Sequence, residues 1–314
     1  MKKVLAIVGP TASGKTKLSV DVACRLDGEI ISTDSRQVYK LIPIATSHPA
    51  AEDLKRIRHY FINELEPADE FNAGEFGTKA RVIIKDIFKR NKQPVIAGGS
   101  GLYIRSLIDG LFEEEIEASE VRDELYEKMN TFGKIFLYNE LVKVDKKSAD
   151  TMIPQNFRRV IRALEVYYVT GKRISEFHKE KTEIDFKTVQ IGLMFERKHL
   201  YHRINERVDK MLEEGLIEEA KKLRELGFDH TKYYSLNTVG LKEVFKYFDG
   251  EYDYDEMVRM IKQNSRRYAK RQLTWFRKDK RIHWIEVNEK TSDEEITERA
   301  IDIFMNTTSV QNVL

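Results

Sequence analysis

The 314-residue sequence predicts an α/β fold in which a parallel sheet with crossover helices carries a helical insertion. An apolar run, a glycine-rich turn and a helical pattern follow one another near residue 3 and again near residue 94, and repeated units of this kind build parallel sheets. Residues 112–179 are charged, helical in pattern and poor in Gly and Pro, and an apolar run resumes at Val189. We therefore predict a core of residues 1–112 and 188–314 with C-terminal basic helices, and an insertion of residues 113–187.

The individual elements follow from the hydrophobic periodicity and the turn residues. The predicted strands cover residues 3–8, 29–33, 94–97 and 189–195. The predicted helices cover residues 15–26, a segment from about Leu102, residues 200–226 closing at Gly227, and residues 255–278. Ligands of such a sheet are expected at the carboxyl ends of its strands.

Composition limits the classes of function. Lys and Arg number 54 against 52 Asp and Glu, so the net charge of +2 identifies no partner by itself. No apolar run approaches the roughly 20 residues that span a bilayer, so we expect no membrane association. Cys24 is the only cysteine, which excludes an internal disulfide and a cysteine-rich zinc site. These features favour a cytoplasmic protein, and we expect a monomer.

The most specific motif follows the first strand. The sequence "GPTASGKT" matches the phosphate-binding loop (P-loop) pattern over Gly9, Pro10, Thr11, Ala12, Ser13, Gly14, Lys15 and Thr16. Glycine-permitted backbone lets successive N–H groups point at a phosphate, Lys15 adds positive charge, and the Thr16 hydroxyl can hold Mg²⁺. A plain glycine turn is the alternative interpretation.

An acidic residue occupies an unusual place. An ordinary nucleotide hydrolase has a hydrophobic strand that ends in a metal-binding Asp, but the strand at residues 94–97 ends in glycines. Asp34 instead ends the strand that follows the P-loop helix, where a carboxylate can accept a proton from an acceptor N–H or O–H. An Asp that caps the next helix is the alternative. The pattern favours a group transferase.

Two basic segments indicate the kind of acceptor. Residues 266–281 hold eight Lys or Arg and one acid, interleaved with Tyr268, Trp275 and Phe276. In a helix, Arg267, Lys270, Arg271 and Lys278 fall broadly on one side. Arg158, Arg159 and Arg162 form a second basic helix face. Such faces suit a nucleic-acid backbone, with a solvated helix face as the alternative.

Six blocks in order carry a family resemblance: "GPTASGKT", "DSRQVY", "GGSGLY", "RRVIRALEVYYVTGK", "LYHRINERVDKMLEEGL" and "RRYAKRQLTWFRKDKRIHW". The chain resembles the bacterial tRNA dimethylallyltransferases as far as about residue 287. The resemblance implies a P-loop NTPase-like core, an insertion that clamps the tRNA anticodon stem-loop, and Mg²⁺. It also implies transfer from dimethylallyl diphosphate to N6 of the adenosine just 3′ of the anticodon, flipped into the protein.

The resemblance also implies residue roles. Asp34 resembles the general base, and Arg203 and Arg207 resemble arginines directed at the diphosphate, with a surface pair for Glu206 or Glu213 as the alternative. Positions resembling tRNA contacts are Asp34, Ser35, Arg36, Gln37, Ser100, Arg122, Arg158, Arg159 and Arg162. From the basic helix face we also expect Arg267 and Arg271 to contact tRNA. Ser100 keeps the hydroxyl of the family's usual Thr.

The chain departs from the family pattern at Pro43, Ala45, Tyr60 and the segment from Asn237 to Gly240. These changes affect the expected contacts to tRNA. Two other classes of protein therefore stay open. One is a small-molecule or nucleotide kinase, which would use the P-loop for ATP and would not need tRNA. The other is a tRNA-binding homologue with weak catalysis, which would bind tRNA without forming product.

Overall fold

The computed structural model describes residues 2–110, 119–177 and 184–307. The chain forms two compact units, one of Met1–Ile108 with Ile184–Leu314 and the other of Asp109–Glu183. We call them the core and the insertion. The predicted start of the insertion at residue 113 lies outside the described residues. Its predicted end, Lys187, is the first residue of a strand of the core.

The core contains one parallel sheet of six strands. They are β1 (Lys3–Val8), β2 (Gly28–Ser32), β3 (His59–Tyr60), β4 (Gln93–Gly98), β5 (Lys187–Phe195) and β6 (Ile282–Val287), in the order β3-β2-β4-β1-β5-β6. Every neighbouring pair is parallel. From Val4 to Val8 the central strand is fully buried, which explains its unbroken apolar run. The predicted α/β, P-loop NTPase-like fold is confirmed.

Helices cover the sheet and build the insertion. They are α1 (Lys15–Arg25), α2 (Pro43–Thr46), α3 (Ala51–Arg56), α4 (Ala73–Lys89), α5 (Gly101–Asp109), α6 (Ser119–Phe132), α7 (Lys134–Val144), α8 (Lys146–Ala149), α9 (Phe157–Thr170), α10 (Ile174–Phe177), α11 (Arg197–Glu213), α12 (Leu216–Glu225), α13 (Leu241–Phe248), α14 (Tyr254–Phe276) and α15 (Asp293–Asn306). A short 3₁₀ turn covers Tyr234–Leu236.

One predicted helix is wrong. Residues 200–226 form two helices, α11 and α12, because Gly215 between them adopts a φ of 100°. This left-handed conformation is open to glycine and ends an α-helix. The long helix α14 is close to the prediction, and the Asp253 carboxylate caps it by accepting the Glu256 N–H at 2.8 Å.

The insertion has its own small core. The apolar faces of α6, α7 and α9 meet there, with Leu125, Leu137, Leu141 and Leu164 almost fully buried. The carboxylate of Glu165 is also fully buried, and it pairs with Arg122 and Arg162 at 2.8 Å each. Since a buried carboxylate needs such partners, these ion pairs help to define the packing of α6 on α9.

Candidate active site

A cavity of about 340 Å³ lies at the carboxyl ends of the central strands of the core. We call it the main cavity. The P-loop, the turn after β2, the glycine turn after β4 and one face each of α11 and α14 line it. The strand ends of a parallel sheet meet at one edge, so this is the place where the fold is expected to hold a ligand.

The P-loop has the conformation that its glycines predict. Gly14, at a φ of 85°, leads into α1, and the left-handed Ala12 precedes it at 61°. The carbonyl oxygen of Pro10 accepts hydrogen bonds from Lys15 Nζ at 2.5 Å and from Ser13 Oγ at 2.9 Å. Lys15 is therefore folded back onto its own loop, at the mouth of a helix N-terminus that attracts anions.

Two arginines of α11 join the P-loop. Arg203 donates from Nε to the Ala12 carbonyl oxygen at 2.9 Å, and its guanidinium lies over the ring of Phe195. Arg203 and Arg207 line a second cavity of about 440 Å³ over the P-loop, which we call the P-loop cavity. Arg207 lines the main cavity as well, as does Lys15. Both predicted arginines thus lie at the P-loop.

Burial and like charge act strongly on the cations here. Burial, with Arg207 nearby, lowers the pKa of Lys15 to about 7, and the negative charge of Asp34 only partly opposes this. Burial also lowers the pKa of Arg207, and Asp34 and Tyr268 oppose that shift. A site that gathers desolvated cations is prepared for an anion with several charges.

Asp34 lies in the turn after β2 and lines the main cavity. Its Oδ1 accepts the Arg36 N–H at 2.9 Å, so Asp34 fixes a turn. No helix begins there, because α2 starts at Pro43, and the helix-cap alternative is therefore wrong. The carboxylate therefore lies on a hydrogen-bonded turn at a strand end.

The other residues of this block are also fixed. The Ser100 hydroxyl accepts the Ser35 N–H at 3.0 Å. Gln37 donates from Nε2 to the carbonyl oxygens of Thr46 and Ser47, at 3.2 and 2.9 Å. The polar side chains predicted for substrate contact thus hold the wall of the main cavity in place.

Arg36 extends from the same turn towards the rim of the main cavity. Its guanidinium lies 4.3 Å from the centre of the Tyr234 ring, in a cation–π arrangement. Tyr234 is exposed, and both residues line the main cavity.

Helix α14 presents one face to the main cavity. Tyr268, Arg271 and Gln272 line it, at a spacing that repeats once per turn. Burial raises the pKa of Tyr268 to about 12, and the negative charge of Asp34 adds to this shift. Arg267 is exposed and donates to Asn264 at 3.3 Å. Of the two arginines predicted on α14, Arg271 lines the main cavity and Arg267 does not. The sequence named Tyr268 only as an aromatic of the basic segment and did not single out Gln272.

The predicted arginines of the insertion belong to the other unit. Arg158 and Arg159 are exposed on α9, whereas Arg122 and Arg162 engage the buried Glu165. Their contact with tRNA stays a prediction.

The structure shows where the departures from the family pattern lie. Pro43 begins α2, whose first N–H groups, those of Ile44 and Ala45, donate to the Glu219 carboxylate at 2.8 and 2.9 Å. Sequence reasoning missed Glu219, a residue of α12 that lies far away along the chain.

Tyr60 is away from the main cavity. Its hydroxyl donates to Glu29 at 2.8 Å, in a cluster that includes Arg90. The segment Asn237, Thr238 and Val239 does line the main cavity. Of the departures, those at Ala45 and at Asn237–Val239 therefore face the site.

The residues present fit a magnesium ion held mainly through a ligand. Among residues 2–110, 119–177 and 184–307, no three His, Cys, Asp or Glu side chains come together as a metal-binding cluster. The exposed Thr16 hydroxyl at the start of α1 can supply one oxygen ligand. Mg²⁺ commonly keeps several waters and binds through one or two protein groups together with substrate phosphates. None of the described helices is both long and apolar enough to cross a membrane.

Comparisons with known proteins agree with this geometry. The model of the IPP transferase family matches residues 37–279. The tRNA dimethylallyltransferase of Acetivibrio thermocellus is 44% identical over 94% of this chain and 95% of its own length. That of Anoxybacillus flavithermus is also 44% identical, over 92% of each chain.

Solved structures give the same result. The full-length tRNA isopentenylpyrophosphate transferase of Bacillus halodurans superposes with a TM-score of 0.71 at 40% identity, over 97% of both chains. A eukaryotic dimethylallyltransferase described as acting on tRNA superposes with a TM-score of 0.83 at 30% identity, over 99% of this chain and 82% of its own. The resemblance seen in the sequence motifs is confirmed. The chain belongs to the IPP transferase family, the family of the tRNA dimethylallyltransferases.

Proposed function

We propose that this protein transfers a dimethylallyl group from dimethylallyl diphosphate to N6 of the adenosine just 3′ of the anticodon of tRNA. The observation that carries the proposal is the meeting of a phosphate cradle and a carboxylate at one cavity. Lys15 of the P-loop and Asp34 both line the main cavity, and their charges interact. A carboxylate opposite a diphosphate site suits a reaction that releases diphosphate and removes a proton.

The donor's diphosphate would lie in the P-loop cavity. There the backbone N–H groups at the start of α1, Lys15, Arg203 and Arg207 would surround its oxygens. Arg207 also reaches the main cavity, so we assign it to the phosphate next to the reacting carbon, and Arg203 to the outer phosphate. When bound, Mg²⁺ held by Thr16 would neutralise charge on the leaving diphosphate.

The acceptor adenine would enter the main cavity. Its N6 is inaccessible while the base is stacked in a loop, so the base has to be flipped out. The N6 lone pair forms a bond to C1 of the dimethylallyl group, the C1–O bond breaks, and the electron pair leaves with diphosphate. Asp34, held by the Arg36 N–H, orients N6 and takes up the proton.

Most of the barrier lies in the departure of the anion, because an aromatic amine is a weak nucleophile. Cations placed where negative charge develops should therefore contribute most of the rate enhancement. Lys15, Arg203 and Arg207, which all line the P-loop cavity, supply them. Asp34 has the smaller task of orienting N6 and removing its proton.

Binding of tRNA would use basic residues outside the main cavity. We propose that the anticodon stem-loop contacts Arg267 and Arg271 on α14, and Arg122, Arg158, Arg159 and Arg162 of the insertion. We further propose that the protein acts as a monomer in the cytoplasm, where a tRNA substrate is available.

The test is to incubate the protein with Mg²⁺, dimethylallyl diphosphate and unmodified tRNA, and to analyse the nucleosides by mass spectrometry. We expect N6-(dimethylallyl)adenosine. A parallel reaction with labelled ATP and no prenyl donor separates the kinase alternative, which predicts phosphate transfer. Binding of tRNA without product from any tRNA that carries adenosine 3′ of the anticodon would favour the weakly catalytic homologue.

A further inference from the structure

A single buried carboxamide connects the two loops of the active site. Gln272 on α14 is only 7% exposed. Its Oε1 accepts the Thr11 N–H at 2.8 Å, and its Nε2 donates to the Gly99 carbonyl oxygen at 3.0 Å. We propose that Gln272 is a positioning residue that ties the P-loop to the turn after β4 and, through that turn, sets its distance from the turn after β2 that carries Asp34. This inference rests on the proposed function.

On the donor side, Gln272 orients one peptide group. The Pro10–Thr11 peptide bond is planar, so holding the Thr11 N–H also holds the Pro10 carbonyl oxygen. That oxygen accepts Lys15 Nζ at 2.5 Å and Ser13 Oγ at 2.9 Å. Gln272 therefore fixes the place from which the Lys15 ammonium group moves to a phosphate.

On the acceptor side, Gln272 holds the turn after β4. Gly99 is followed by Ser100, whose hydroxyl accepts the Ser35 N–H at 3.0 Å. Ser35 is the neighbour of Asp34 in the turn after β2. The hydrogen bonds thus run from Thr11 through Gln272 to the turn after β4, and from there to the turn that carries the proposed base.

Helix α14 packs closely against the turn after β4. A Cβ atom at Gly99 would lie 2.3 Å from Gln272 Nε2, and one at Gly101 would lie 2.2 Å from Trp275 Nε1. The glycines of the "GGSG" turn therefore allow α14 to approach the turn closely. An apolar side chain at position 272 would remove the partner that the Thr11 N–H and the Gly99 C=O each have in Gln272, and leaving such groups unpaired is unfavourable.

The effect on rate follows from geometry. Transfer requires the carbon on the diphosphate and the amine at Asp34 to meet, and a displacement of about 1 Å can cost roughly 100-fold in rate. We expect Gln272→Met, which keeps the shape of the side chain but neither hydrogen bond, to lower kcat by about 10- to 100-fold. The KM for tRNA should change by less than about 3-fold, because both polar atoms of the Gln272 carboxamide bond to backbone groups of the protein.

Gln272→Glu gives a sharper readout. A neutral carboxylic acid offers one acceptor and one O–H donor in the shape of the amide, whereas the carboxylate offers no donor to Gly99. The ratio of its kcat to that of the wild type should therefore rise as the pH is lowered. The ratio for Gln272→Met should not change with pH. A side chain that only filled space would show no such difference between the two variants.

The control is Met257→Ala, a truncation at a fully buried position on the same helix but outside the main cavity. It should lower the stability of the protein, as buried truncations do, and keep the wild-type kcat in the folded protein. Affinity for inorganic diphosphate, measured by calorimetry, is the readout that does not need turnover. Gln272→Met should weaken it by about 5-fold, the equivalent of one hydrogen bond of about 1 kcal/mol.

The outcomes separate the two proposals. An inactive wild type would refute the proposed function, and diphosphate affinity would then decide the role of Gln272. With an active wild type, an unchanged kcat and diphosphate affinity in folded Gln272→Met would overturn the inference alone. If Gln272→Met does not fold, the pH dependence of Gln272→Glu decides, and a flat ratio to the wild type would overturn it.

Discussion

The lowered pKa of Lys15 predicts how donor affinity depends on pH. Burial and Arg207 bring this pKa to about 7 in the ligand-free protein. If only the charged ammonium binds diphosphate well, the apparent Kd is the intrinsic Kd divided by the charged fraction. That fraction is about one half at pH 7 and about one eleventh at pH 8. The Kd should therefore rise about 5-fold between pH 7 and pH 8, and about 50-fold by pH 9.

The assay is isothermal titration calorimetry of dimethylallyl diphosphate binding without tRNA, in buffers of different ionisation enthalpy. At pH 8 the protein should take up about 0.9 proton per ligand at this site, because bound diphosphate restores the charge of Lys15. Lys15→Arg is the matched control, since its side chain stays charged and the donor's own ionisation is common to both proteins. If the donor affinities of the wild type and of Lys15→Arg fall in parallel from pH 7 to 9, burial does not lower the pKa of Lys15 as the structure predicts.

Three further predictions concern neighbouring groups. Asp34→Asn keeps an acceptor for the Arg36 N–H but loses the base, so kcat should fall by about 10²- to 10⁴-fold. Filter binding should find a tRNA affinity within about 3-fold of that of the wild type. An equal loss of kcat and of tRNA affinity would mean that the role of Asp34 is structural. Arg207→Gln removes a positive charge that lowers the pKa of Lys15, so calorimetry should find that donor affinity persists to higher pH than in the wild type; an unmoved profile would contradict this. Burial raises the pKa of Glu219 to about 7, so its contribution to stability is present at acidic pH and is lost as the pH rises through 7. Relative to Glu219→Gln, the wild type should lose up to about 3 kcal/mol of unfolding free energy between pH 4.5 and 7.5 in urea titrations. A difference between the two proteins that stays constant with pH would refute this prediction.

The sequence predicted the parts of the site that short motifs encode. The P-loop and Asp34 each follow a buried strand, and the parallel sheet brings the strand ends together. The edge strand β6 was not predicted. Its residue Glu286 is exposed and no glycine turn follows the strand, so its sequence pattern differs from that of the central strands. The break at Gly215 was missed because a glycine inside a helical pattern costs only about 1 kcal/mol and does not by itself end a helix.

The roles of Gln272 and Glu219 could not be predicted from the sequence, for a different reason. Each is a polar residue in an amphipathic helix, and the sequence pattern therefore predicts that it lies on the solvent-exposed face. Only the tertiary structure shows that Gln272 reaches Thr11 and that Glu219 reaches the first turn of α2. Thr11 lies 261 residues from Gln272 along the chain, and Ile44 lies 175 residues from Glu219.

The central claim is that the P-loop assists cleavage of a carbon–oxygen bond, where such loops more often assist cleavage of a phosphorus–oxygen bond. Dimethylallyl diphosphate labelled with ¹⁸O in the oxygen between C1 and phosphorus tests this most directly. After transfer to tRNA, mass spectrometry should find all of the label in the released diphosphate and none in the modified nucleoside. Label that stays with the dimethylallyl fragment, together with a phosphorylated acceptor, would contradict the account.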